Sequence, residues 1–224
     1  MTDGKNNGID GICTRIFLVR HGQPMQHSGR IFLGQTDIPL SERGKQEAAA
    51  AADRLLELHA RLKRVYTSDL ARAKETADII SERFGGLPVV TDLLFREMAM
   101  GTWDGELVED IKAKFPEEYE KRGYDLCNYR IPGGENFYDL RGRVTREFYR
   151  IFAEDFSGVG SKSASGADNG SGDLLIVAHH GVIISLFEEL HSEPAGNGFG
   201  IDCPTGSVTV IDAPDWLWPE GKPR

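Results

Sequence analysis

Two segments, RIFLVR at 15–20 and LLIVA at 174–178, constrain this fold more than any other feature of the chain. Each is short, almost continuously apolar and rich in branched side chains, the pattern of a strand buried on both faces. Such strands need cover on two sides, and the segments between them supply it. Residues from about Glu42 to Leu58 form an alanine-rich helix, with Ser41 as N-cap and Glu42 in the first turn. RVYTS (64–68) reads as a second strand. Leu70, Ala73, Ala77, Ile80 and Phe84 then recur at spacings of three and four, which predicts a helix capped by Ser68 or Asp69 and stopped at Gly85-Gly86. PVVTD (88–92) is a third, shorter strand. Residues 106–122 are charged and helical, with a break at Pro116. Further helices are expected from about Glu135 to Phe156 and from His180 to Leu190, and a last strand at SVTVI (207–211). Strands alternating with helices predict α/β layers, a largely parallel sheet covered on both faces.

Residues 1–13 read as a loose leader and 14–212 as a single domain. The stretch SGVGSKSASGADNGSGD (157–173) reads as a flexible loop inside that domain, since only Val159 in it is large and apolar. In the tail at 213–224, Trp216 and Trp218 either dock on their own domain or cover a homodimer contact. The 224 residues carry a formal net charge of −9, which argues against non-specific nucleic-acid binding but leaves room for a local arginine cluster. MTDGKNNGIDG at the start has no apolar core of a signal peptide. No stretch approaches the roughly 18 apolar residues of a membrane span. A cytoplasmic protein without a membrane partner is the expectation. Cys13, Cys127 and Cys203 are widely spaced and odd in number, so they read as free thiols rather than as a zinc or redox motif.

In parallel α/β sheets the ligand site lies beyond the carboxyl ends of the strands. The first strand delivers Arg20 and His21 there, and the second is followed by Arg72 in the next helix. Arg96 and Glu97 come after the third strand, and His179, His180 and Gly181 after the strand at 174–178. Arginine forks match phosphate oxygens, and a neutral imidazole nitrogen can attack phosphorus. A second, protonated histidine would stabilise the transferring group, and a departing alkoxide needs an acid, for which Glu97 is available. This scheme requires no metal and no cofactor. Neither an H-x-x-x-H pair nor a phosphate-binding glycine loop of the G-x-x-x-x-G-K type is present. His27, His59 and His191 have no comparable setting and read as structural.

Phe17-Leu18-Val19-Arg20-His21-Gly22 resembles the R-H-G signature of the histidine phosphatase superfamily, which includes cofactor-dependent phosphoglycerate mutases. The resemblance continues through GQTDIPLSERGKQEA (34–48), VYTSDLARAKETA (65–77), FREMAMGTWDG (95–105), PGGEN (132–136) and IVAHHGVI (176–183). It implies a three-layer α/β/α sandwich, phosphoglycerate mutase-like. By position it makes His21 the nucleophile, Arg20 and Arg72 the phosphate clamps, His179 the second histidine and Glu97 the proton donor. Gln23, Gly34, Gln35, Arg96 and His180 would complete the phosphate and substrate contacts. Three positions depart from the pattern: Pro24 stands where a hydroxyl residue is common, His180 where the H-G-G or H-G-N of the family has glycine, and Phe95 where leucine precedes the Arg96-Glu97 pair. The blocks look most like α-ribazole phosphatase, an enzyme of cobalamin assembly. The implied activity is hydrolysis of a small phosphomonoester through phosphohistidine. The alternatives are a phosphoglycerate mutase and a non-catalytic phosphate-binding domain.

Overall fold

The computed structural model describes residues 14–25, 28–156 and 172–218. Five strands form one sheet in the order β3-β2-β4-β1-β5: β1 is Arg15–Arg20, β2 Val65–Thr67, β3 Val89–Thr91, β4 Leu174–Ala178 and β5 Val208–Asp212. All neighbours run parallel except β5, which lies antiparallel against β1. Among the described residues there are six α-helices: α1 (Glu42–Glu57), α2 (Ala71–Arg83), α3 (Val108–Lys114), α4 (Pro116–Tyr124), α5 (Phe137–Phe156) and α6 (His180–Leu190).

The period-two alternation of β1 and β4 divides the interior. Phe17, Val19, Leu175 and Val177 face α1 and α2, whose Ala51, Ala52, Leu55, Ala77 and Ile80 complete one core. Ile16, Leu18, Leu174 and Ile176 face α5 and α6, in a larger core with Val144, Phe148, Ile151 and Val182. The apolar runs are therefore continuous because each face has its own helical layer.

Several boundaries differ from the sequence expectation, each for a stated contact. Neither Ser68 nor Asp69 caps α2. Its first amide, that of Ala71, donates to Asp37 Oδ1 at 2.7 Å from a loop 34 residues earlier. Ser68 is buried and accepts from Leu70 N, while Asp69 is committed to Arg96. Helix α5 begins at Phe137, not Glu135, because Asn136 and Asp139 cap it reciprocally: each side chain accepts the other's backbone N–H, at 2.9 and 3.0 Å. Pro116 does break the charged segment, and it opens α4 as that helix's first residue.

The leader at 1–13 with its Cys13, His27, and positions 157–171 of the expected loop lie outside the described residues. Asp173 does not belong to a loose loop: it is buried and accepts the N–H groups of Arg15 (3.0 Å) and Arg61 (2.9 Å), and it pairs with the Arg15 guanidinium. Trp218 docks on its own domain, edge-on to Phe152 and Phe156 of α5, while Trp216 stays half exposed beside Tyr149. No helix among the described residues is long and apolar enough to cross a membrane.

Candidate active site

The chain leaves β1 toward the α1–α2 face and leaves β4 toward the α5–α6 face. The two strands are neighbours, so a crevice opens where their carboxyl ends part. Register places Arg20 opposite Ala178. The next residues, His21 and His179, therefore meet, with ring centroids 5.0 Å apart. His21 N–H donates to the Ala178 carbonyl at 2.9 Å and so extends the ladder by one bond into the site.

The His21 ring has one hydrogen bond, from Nδ1 to the carbonyl of Gly22 at 2.7 Å. A carbonyl only accepts, so the proton sits on Nδ1 and the lone pair on Nε2. Burial pushes the His21 pKa down to about 3, helped by the charges of Arg72 and Arg20. The ring is thus neutral and nucleophilic at ordinary pH. His179 is fully buried, and its pKa is held well below the usual histidine range by burial first, then by His21 and Arg72.

Arg72 is 1% exposed, although no carboxylate among the described residues pairs with it. Its Nη1 and Nη2 donate to the carbonyls of Thr36 (2.9 Å) and Gly34 (2.7 Å). Burial lowers its pKa against the opposing pull of Glu97, Asp37 and Asp104. Arg20 is held by the Cys203 carbonyl, 2.6 Å from Nη1. Glu97 accepts Met98 N–H on Oε1 (2.8 Å) and Gly181 N–H on Oε2 (3.2 Å). The second bond explains the glycine: a Cβ at Gly181 would stand 2.5 Å from Glu97 Oε1 and 2.8 Å from Leu140.

The other expected residues divide. His180 opens α6, half buried, with its pKa lowered by burial and then Arg20, against Glu97. The N-cap residue His179 makes no capping bond with its own side chain, and of the first-turn amides that of Gly181 is taken by Glu97 Oε2. Gln35 reaches Glu97 from the side, its Nε2 donating to the Glu97 carbonyl at 3.0 Å. Gly34 contributes its carbonyl to Arg72. Gln23 is tied to α1, its N–H on Glu47 (2.8 Å) and its Oε1 accepting from Ser41. Arg96 is not open to an anion, because Asp69 occupies its fork from Nε (2.7 Å) and Nη2.

Sequence reasoning missed Arg143. Its guanidinium donates to the carbonyls of Leu94 (2.6 Å) and Glu97 (3.0 Å) and pairs with Glu135, pinning the loop that carries Glu97. Glu135 lies in the PGGEN block, but nothing local in the helix marks Arg143 as its partner. Thr76, which accepts Gly22 N–H at 3.0 Å, was equally invisible. Among the described residues, no group of three or more His, Cys, Asp or Glu side chains is arranged to hold a metal ion.

Four buried polar atoms in this crevice have no partner: Arg20 Nε, Arg72 Nε and both ring nitrogens of His179. Orphaned polar atoms cost free energy unless something fills the gap, and among the described residues nothing does; an anion would suit the two guanidinium N–H groups. A family model for the histidine phosphatase superfamily, branch 1, matches residues 16–218. The chain belongs to that superfamily.

Its relatives carry both mutase and phosphatase names. Phosphoglycerate mutase-like protein 4 of Arabidopsis thaliana is 32% identical over 190 residues, covering 84% of this chain and 76% of its own. A mycobacterial glucosyl-3-phosphoglycerate phosphatase of known structure shares 30% identity at a TM-score of 0.70, over 88% of this chain and 89% of its own. The α-ribazole phosphatase of Shigella flexneri shares 26% at a TM-score of 0.74, over 89% and 90%. The chain is accordingly an enzyme of the histidine phosphatase type, with the mixed α/β fold of its relatives.

Proposed function

We propose that this enzyme hydrolyses a small phosphomonoester through a phosphohistidine on His21. The four orphaned atoms around the neutral His21 ring carry this reading. The phosphoryl oxygens would accept from Arg20, Arg72 and His179. A dianion there would oppose the burial and the neighbouring positive charges that hold the His179 pKa low, favouring a protonated His179 as a third cationic donor. His21 Nε2 attacks phosphorus along the axis of the leaving oxygen. A P–N bond forms, the P–O bond to the alcohol breaks, and the Glu97 carboxyl supplies the proton that makes the alkoxide an alcohol. Water then attacks the phosphohistidine and gives its proton to Glu97. The P–N bond breaks, and phosphate departs with Glu97 ready for a second cycle. The positive field that stabilises the spread phosphoryl charge is preorganised, since each guanidinium is fixed by backbone carbonyls.

For substrate, the structural similarity to an α-ribazole phosphatase and to a glucosyl-3-phosphoglycerate phosphatase supports a phosphorylated small metabolite carrying a sugar-like alcohol. A cytoplasmic setting accords with such a metabolite. The mutase name of the Arabidopsis relative supports one alternative, in which the phosphohistidine returns its group to a second hydroxyl rather than to water.

The test is p-nitrophenyl phosphate hydrolysis in excess chelator, followed by a panel containing α-ribazole phosphate, glucosyl-3-phosphoglycerate and both phosphoglycerates with a bisphosphate primer. Hydrolysis that His21→Ala abolishes is expected, with acid-labile phosphate trapped on the wild type. Full activity in His21→Ala ends the proposal. Isomerisation without hydrolysis selects the mutase.

A further inference from the structure

The structure assigns Asp104 as the positioning residue for the Arg72 phosphate clamp, acting through the loop at 34–36. This rests on the reading of the crevice as a phosphate site. What fixes the plane of Arg72 is not a carboxylate but a pair of carbonyls, Gly34 O at 2.7 Å and Thr36 O at 2.9 Å. Those carbonyls belong to a loop with no regular backbone pairing of its own, so their direction must be set from elsewhere.

Asp104 sets it. Its Oδ1 accepts Gly34 N–H (3.0 Å), Thr36 N–H (3.3 Å) and the Thr36 hydroxyl (2.9 Å), while Oδ2 accepts Gln35 N–H (2.7 Å). Three consecutive amides thus converge on one carboxylate, which turns the carbonyls of Gly34 and Thr36 toward Arg72. The fit is close enough to demand glycine at 34, where a Cβ would lie 2.7 Å from the Met98 carbonyl and 3.0 Å from Asp104 Oδ2.

The carboxylate also lies close enough to Arg72 to favour its charge. Charge-assisted bonds are shorter and stronger than neutral ones, so a carboxylate holds this loop in a way an amide cannot. With both Nη atoms engaged in one plane, the Nε of Arg72 has a single direction, and that N–H is buried without a partner in the crevice. Asp104 touches neither phosphate nor His21. It decides where the clamp points.

The experiment is a double-mutant cycle of Asp104→Asn with Arg72→Lys, reading kcat/KM on p-nitrophenyl phosphate and the inhibition constant of inorganic phosphate. In the Arg72 background, Asp104→Asn should lower kcat/KM on the order of 10- to 100-fold, the scale of a misplaced contact, and raise the phosphate constant with it. In the Arg72→Lys background the same substitution should cost less than about twofold, because the group it positions is gone. Equal losses in both backgrounds would mean Asp104 only supports the fold, and the inference falls. Should Asp104→Asn not fold, Thr36→Val removes the 2.9 Å hydroxyl bond and is carried through the same cycle. Its smaller loss should again vanish in the Arg72→Lys background, and a loss that persists there overturns the inference. Failure of phosphate to inhibit the wild type is a different outcome: it overturns the phosphate-site reading itself.

Discussion

His21 should make this protein sensitive to acid, because its surroundings hold the ring neutral. Its pKa is pushed down to about 3 by burial and by two guanidinium groups, against about 6.5 in an unfolded chain. The folded-state value is depressed, so between these limits the unfolded chain binds a proton that the native ring refuses. Stability is complete above the unfolded value and falls as pH drops. For one such group the loss at about pH 5 is about 2 kcal/mol relative to about pH 7.5. His179, shifted the same way, adds to it.

The assay is urea unfolding at both pH values, for the wild type and for His21→Gln, which cannot protonate. With a slope of about 2 kcal/mol per molar, the wild-type midpoint should fall about 1 M further on acidification than that of the variant. Groups away from the crevice are common to both proteins and cancel to first order, and His179 keeps the burial that is the first cause of its shift. Identical pH dependence in the two would refute the claim that His21 is held neutral by its surroundings. Inorganic phosphate should narrow the difference, because a bound anion lets the imidazoles charge.

Other expectations follow from single contacts. Glu97→Gln should slow alkyl phosphate esters far more than p-nitrophenyl phosphate, whose leaving group needs little protonation; equal losses would remove Glu97 from the role of acid. Gly181→Ala, which places a methyl 2.5 Å from Glu97 Oε1, should lower kcat and cost about 1–3 kcal/mol of stability by overpacking, seen as a parallel drop in urea midpoint. Asp173→Asn should destabilise the fold by about 2 kcal/mol, less than a fully buried pair because the Arg15 side chain is 24% exposed; an unchanged midpoint would show that the Arg15–Asp173 tie contributes nothing.

The sequence by itself determined the layering. Runs such as Phe17–Val19 and Leu175–Val177 have no polar face, so they must lie in a sheet covered twice, and helices of period 3.6 stood ready on either side. It also marked Arg20, His21 and His179, because polar residues that end buried strands stand out against their local background, whereas Arg72 in the first turn of α2 and Glu97 beyond β3 gained meaning only beside them. The partners that hold them did not stand out. Asp37 caps a helix 34 residues away, Arg143 pins Glu97 across 46 positions, and Asp173 joins Arg15 across 158. Arg96 looked like a phosphate ligand until Asp69 was seen to fill its fork. Periodicity is a property of neighbours along the chain, so a local reading captures it. A hydrogen bond between distant side chains is decided by how the layers dock, and only the tertiary structure holds that information.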